Sequence, residues 1–69
     1  MKQNIELKGY YGKWSSIDKK EMYDFTTYYL MENNTFGDET FYLVIDNDNN
    51  VICETFDDLE TSLIDNGII

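Results

Sequence analysis

The chain has 69 residues and a formal net charge of −9, from fourteen Asp and Glu against five Lys. A chain of this length is one domain, whose core supplies only about 3–5 kcal/mol of net stability. Its single Cys excludes an internal disulfide, and the absence of His removes the commonest zinc ligand and the commonest general base. Six Tyr, four Phe and one Trp carry the apolar area that a core needs. Met1-Lys2-Gln3-Asn4-Ile5 is followed by no apolar run, so neither a signal peptide nor a membrane span is expected. With a lone Cys, the cytoplasm of a bacterial host is the expected compartment.

In chain order, Ile5 and Leu7 alternate with polar residues and predict a strand over residues 4–8. Gly9-Tyr10-Tyr11-Gly12 has turn character at its ends. Ser15-Ser16 can cap a short helix over Ile17–Asp24, with Met22 and Phe25 inward. The alternative is a strand over Lys13–Ile17 whose loop crosses to Thr26; the helix is the preferred reading. Thr26–Glu32 is β-branched and aromatic and predicts a strand, followed by a loop at Asn33–Asp38. Thr40–Ile45 is apolar on both parities and predicts a central strand covered on both faces. Asp46-Asn47-Asp48-Asn49-Asn50 is a turn that returns the chain as Val51–Glu54, so residues 40 to 54 form a hairpin. A helix closes the chain. Thr55 with Asp58 resembles a capping box, and Asp57, Asp58 and Glu60 suit the positive end of the helix dipole. Phe56, Leu59, Leu63 and Ile64 form its apolar stripe, and Asn66-Gly67 ends it with Ile68 folding back. The expected fold is α+β: an antiparallel sheet of three to four strands, a C-terminal helix packed on one face, and the short N-terminal helix.

Charge is divided along this chain. All five lysines lie in the first twenty residues, which carry a net +3. From Glu21 to Ile69 there are twelve acids and no cation. Such a segment cannot neutralise itself by local ion pairs, so its carboxylates form either a solvated surface or a face complementary to a basic partner. Phosphates would be repelled, so direct nucleic-acid binding is not expected. A protein that itself handles nucleic acid is the expected partner.

Candidate chemistry is sparse. Asp46, Asp48, Asn50 and Asp57 fall at four ligand positions of a calcium loop. Val51 stands where that loop needs Gly, and a polar turn explains the same residues. Cys53 lacks a His partner and sits among acids, so it reads as a small strand residue rather than a nucleophile. Carboxylate pairs such as Asp38/Glu39 or Asp57/Asp58 need a pocket for acid–base work, which so short a chain has little room to build. Neither an enzyme nor a cofactor is expected. The aromatics outnumber what such a core can bury, and exposed Tyr and Trp serve as interface anchors. Tyr10-Tyr11-Gly12-Lys13-Trp14 also has the pattern of a base-stacking surface, which the whole-molecule charge opposes.

The chain has no Arg, Pro or Ala and is rich in Lys, Asn, Ile, Tyr and Asp, as AT-rich genomes encode. Along Gly37-Asp38-Glu39-Thr40, Leu43-Val44-Ile45-Asp46, Val51-Ile52-Cys53-Glu54-Thr55 and Asp57-Asp58-Leu59, it resembles small proteins of phages and mobile elements of low-GC bacteria. In size and acidity it is similar to anti-CRISPR proteins and DNA mimics. That resemblance implies an inhibitor whose acids face the basic channel of a host protein such as a CRISPR effector. The residues expected to make the contact are Asp38, Glu39, Asp46, Asp48, Asp57, Asp58, Glu60 and Asp65. The rival expectation is an accessory domain that self-associates, as a homodimer, without inhibiting anything.

Overall fold

A computed structural model describes residues 2–34 and 37–69. Thr35 and Phe36, within the predicted loop, lie outside the described residues. Five strands are followed by one helix: β1 Ile5–Leu7, β2 Tyr10–Glu21, β3 Thr27–Asn33, β4 Phe41–Ile45, β5 Val51–Thr55 and α1 Leu59–Asp65. They form one antiparallel meander in the order β1-β2-β3-β4-β5. This corrects the expected three to four strands and short N-terminal helix. Residues 17–21 belong instead to the twelve-residue strand β2.

The physical reason is tertiary. Asp18-Lys19-Lys20-Glu21 are unobjectionable in a helix, but their backbone pairs with Thr27–Leu30 of β3. The alternation that marks β2 as a strand is muted, because polar Ser16 fills an inward place beside Trp14 while apolar Ile17 is exposed. Ser16 is satisfied there by the carbonyl of Lys2, which accepts from both its N–H and its hydroxyl.

β3 and β4 form the middle of the sheet, with Met31 opposite Leu43 and Leu30 opposite Val44. Alternate residues therefore build two cores. On one side Met31, Leu43 and Ile45 pack with Leu7 and Trp14 from the first two strands. On the other, Leu30 and Val44 pack with Leu59 and Leu63 of the helix. The first side is covered because β2 bends. Its register shifts between Ser16 and Asp18, and such an irregularity increases twist and re-aims a strand. The first half of β2 then carries β1 back over the sheet.

Two hairpins use the same three-residue turn. In one, Asp46 N–H donates to Asn50 O while Asn49, at φ 66°, donates to Asp46 O. In the other, Met22 N–H donates to Thr26 O while Phe25, at φ 64°, donates to Met22 O. Asn tolerates the left-handed region; a bulky Phe rarely adopts it. Tyr23 and Phe25 stand fully exposed at the tip of this second turn.

The helix begins three residues later than the capping box suggests. Asp58 is the N-cap, its carboxylate accepting from Thr61 N–H at 2.7 Å. The Thr55 hydroxyl instead accepts from Asp57 N–H and shares a buried hydrogen bond with the Ser62 hydroxyl. At the other end Gly67, at φ 73°, donates to Ile64 O and Ile68 donates to Leu63 O, a Schellman closure with Ile68 packed inward. Of the predicted stripe, Leu59 and Leu63 are buried, whereas Phe56 and Ile64 are exposed.

Candidate functional site

The bent β1–β2 arm covers its side of the sheet unevenly. At one end it is held down: the Lys2 ammonium donates to Asn47 O at 3.2 Å and to the Asn49 side chain, and lies 5.2 Å from the Tyr29 ring centre. At the other end the arm and the β4–β5 ladder stand apart. Between them lies a groove of about 420 Å³. The arm contributes Gly9, Tyr10, Tyr11 and Trp14 to it; β4 contributes Phe41, Tyr42 and Leu43; β5 and the residue after it contribute Glu54, Thr55 and Phe56.

Each wall follows from local structure. Gly9, at φ 85°, lets the chain turn tightly from β1 into β2. The side chain of Asn33, fully buried, donates to Tyr11 O at 2.8 Å and pins the start of β2 beside the end of β3. Trp14 is only 3% exposed and meets Tyr10 edge-on, with ring centres 6.3 Å apart. Its indole N–H is the one buried side-chain polar atom without an acceptor among the described residues. Phe56, released from the helix by the later cap, is 91% exposed. Glu54 is the single carboxylate lining the groove, and no lysine lines it.

The eight predicted acids do not form a single patch: four lie at the groove end and four elsewhere. Asp38 and Glu39 lie in the β3–β4 connection, and Asp57 and Asp58 between β5 and α1, both at the groove end by strand register. Asp46 and Asp48 lie in the β4–β5 turn at the opposite end. Glu60 stands in the first helical turn and Asp65 at the helix end. Two have structural work. Asp46 accepts from the backbones of Asp48 and Asn50 and from the Asn50 side chain. Burial raises its pKa, but these bonds and nearby Lys2 outweigh it and hold the carboxyl below its ordinary range. The Asp58 carboxyl is lowered by its bonds with Thr61. The remaining six are exposed. Among the described residues, only Glu21 of the twelve acids after residue 20 has a lysine within ion-pair distance, Lys19 at 3.0 Å.

The calcium-loop reading gathers no support from this arrangement. Asp46 is committed to its turn, Asp57 follows β5 at the other end, and no three potential ligands cluster among the described residues. Cys53 is half-buried on the helix side, where burial pushes its thiol pKa up. What reading the sequence for acids missed is the groove. Its signal lay in the surplus of aromatics, though Trp14 serves as its floor rather than as an exposed anchor.

The family model described as large polyvalent protein-associated domain 18 matches residues 1–65. No curated protein and no solved structure matches the chain.

Proposed function

This chain belongs to the large polyvalent protein-associated domain 18 family, a domain of large polyvalent proteins of mobile elements, and from that premise we propose that it is a non-catalytic protein-binding module. Its partner is a basic protein surface of the kind that handles nucleic acid. The observation that carries this reading is the run from Glu21 to Ile69, twelve acids without a cation. The six acids singled out above other than Asp46 and Asp58 are exposed. Such a field speeds encounter with a positive surface and turns away nucleic acid itself.

In its narrower form the module is an inhibitor that occupies the basic channel of a host protein such as a CRISPR effector. That form rests on the acids and on the resemblance to phage-borne inhibitors. The acids lie at both ends of the sheet, so the module would engage such a channel through several patches rather than through one continuous row. The setting is the cytoplasm of a bacterial host.

Capture from a host lysate tests the reading. Proteins retained by the domain should be basic, and retention should fall steeply between about 50 mM and 500 mM salt. Reversing Asp38, Glu39, Asp48 and Asp65 to Lys should abolish retention without unfolding the domain, because these side chains are exposed and Asp46 and Asp58 keep their structural bonds. Retention insensitive to salt and to the four reversals contradicts it.

A further inference from the structure

We propose that the groove between the β1–β2 arm and the β4–β5 ladder is a receptor for an arginine side chain of the partner. This rests on the reading above, that the partner is basic, and names where and how it is gripped. The groove supplies what a guanidinium needs and little that another group would use. Tyr10 and Phe56 present aromatic rings, and Glu54 presents one carboxylate beside them. Guanidinium is planar, weakly hydrated and always charged; it stacks on rings and meets a carboxylate with two parallel N–H donors. An ammonium is a strongly hydrated point charge and fits an aromatic slot less well.

Charge complementarity decides the occupant. The lining holds one negative and no positive side chain. Lys8 and Lys13 line a separate depression that Tyr10 and Tyr11 also border, and there Lys13 is tied to Glu6 at 2.8 Å. Asp57 and Asp58 directly follow Phe56, so the field beyond the slot is also negative. A purely apolar side chain would make no use of Glu54, and an acidic one would be repelled. The volume, about 420 Å³, lies within the range of small-molecule sites and admits one long side chain with its flanking backbone.

The only tryptophan of the chain lies in the groove, so its fluorescence reports occupancy. The probe is a capped Gly-Gly-Arg-Gly-Gly peptide, with citrulline and lysine versions as comparisons. The arginine peptide should shift Trp14 emission saturably, and the uncharged citrulline version should bind at least about tenfold more weakly. The lysine version should fall between them. Glu54→Gln and Phe56→Ser should each weaken the arginine peptide by about tenfold. Both positions are exposed, so the melting temperatures of these variants should match the parent. Equal binding of the arginine and citrulline peptides, an unchanged affinity in Glu54→Gln, or no emission change up to about 10 mM peptide overturns the proposal. The two readings fail separately. Salt-sensitive lysate capture that survives Glu54→Gln and Phe56→Ser overturns the arginine slot and leaves the basic partner standing. Peptide binding in a domain that captures no basic protein supports the slot and overturns the reading beneath it.

Discussion

The two sides of this sheet are covered by different means, and the difference leaves a groove on one of them. On one side a two-turn helix lies over Leu30 and Val44, capped at its start by Asp58 and closed at its end by Gly67 and Ile68. A buried hydroxyl pair, Thr55 with Ser62, joins it to the strand before it. On the other side the cover is the sheet's own first two strands, bent back at a bulge and held at one end by Lys2. A helix is a self-sufficient lid, because its backbone bonds are internal. A strand pair carried over a sheet closes only where something ties it down. Where it stands off the strands beneath, a groove remains between them, and that is where we propose a partner's side chain enters.

The sharpest way to break this comparison is to damage the complete side. Leu63 is fully buried under the helix, so Leu63→Ala should cost about 2–5 kcal/mol and, in a domain this small, remove most of the folded population at 37 °C. Chemical denaturation followed by circular dichroism measures it; a loss below about 1 kcal/mol would mean the helix is a loose appendage. On the incomplete side the corresponding tie is electrostatic and partly solvated. Lys2→Met should cost about 0.5–1 kcal/mol, and amide exchange in β1 should speed up while that in α1 stays unchanged. Equal acceleration in both would show that the two covers are one cooperative unit.

The smallest effect is on acid stability. The folded-state pKa values of Asp46 and Asp58 are depressed, so their contribution is complete above the unfolded carboxylate value of about 3.9. It is lost as pH falls from there through the lower folded values. Melting temperature should therefore drop below about pH 4, and Asp58→Ser, which keeps a cap without the charge, should flatten part of that drop. An identical acid limb in the variant would remove Asp58 from the explanation.

The complete side was far more legible in the sequence than the incomplete one. The β4–β5 hairpin and the terminal helix announce themselves through local chemistry: a run of apolar residues, an Asp/Asn turn, acids before Leu59 and Gly after Asn66. The N-terminal third hides its structure. β2 is held as a strand by pairing with β3, while its own residues 17–21 are mostly charged and its turn places Phe where Asn or Gly is usual. A groove formed by a bent arm depends on a register shift that no residue pattern marks. The acids are the ground for proposing a basic partner; they do not mark a place, because they are distributed over loops at both ends and over the helix.

The most direct measurement of where binding happens is a titration of the isotope-labelled domain with the arginine peptide, followed in the proton–nitrogen correlation spectrum. One tryptophan gives one indole N–H resonance. That resonance and the amides of Tyr10, Tyr11, Glu54 and Phe56 should move together, with those of Thr61–Asp65 unmoved. Shifts concentrated in the helix, with the indole resonance still, would contradict the assignment of binding to the side that the strands leave open.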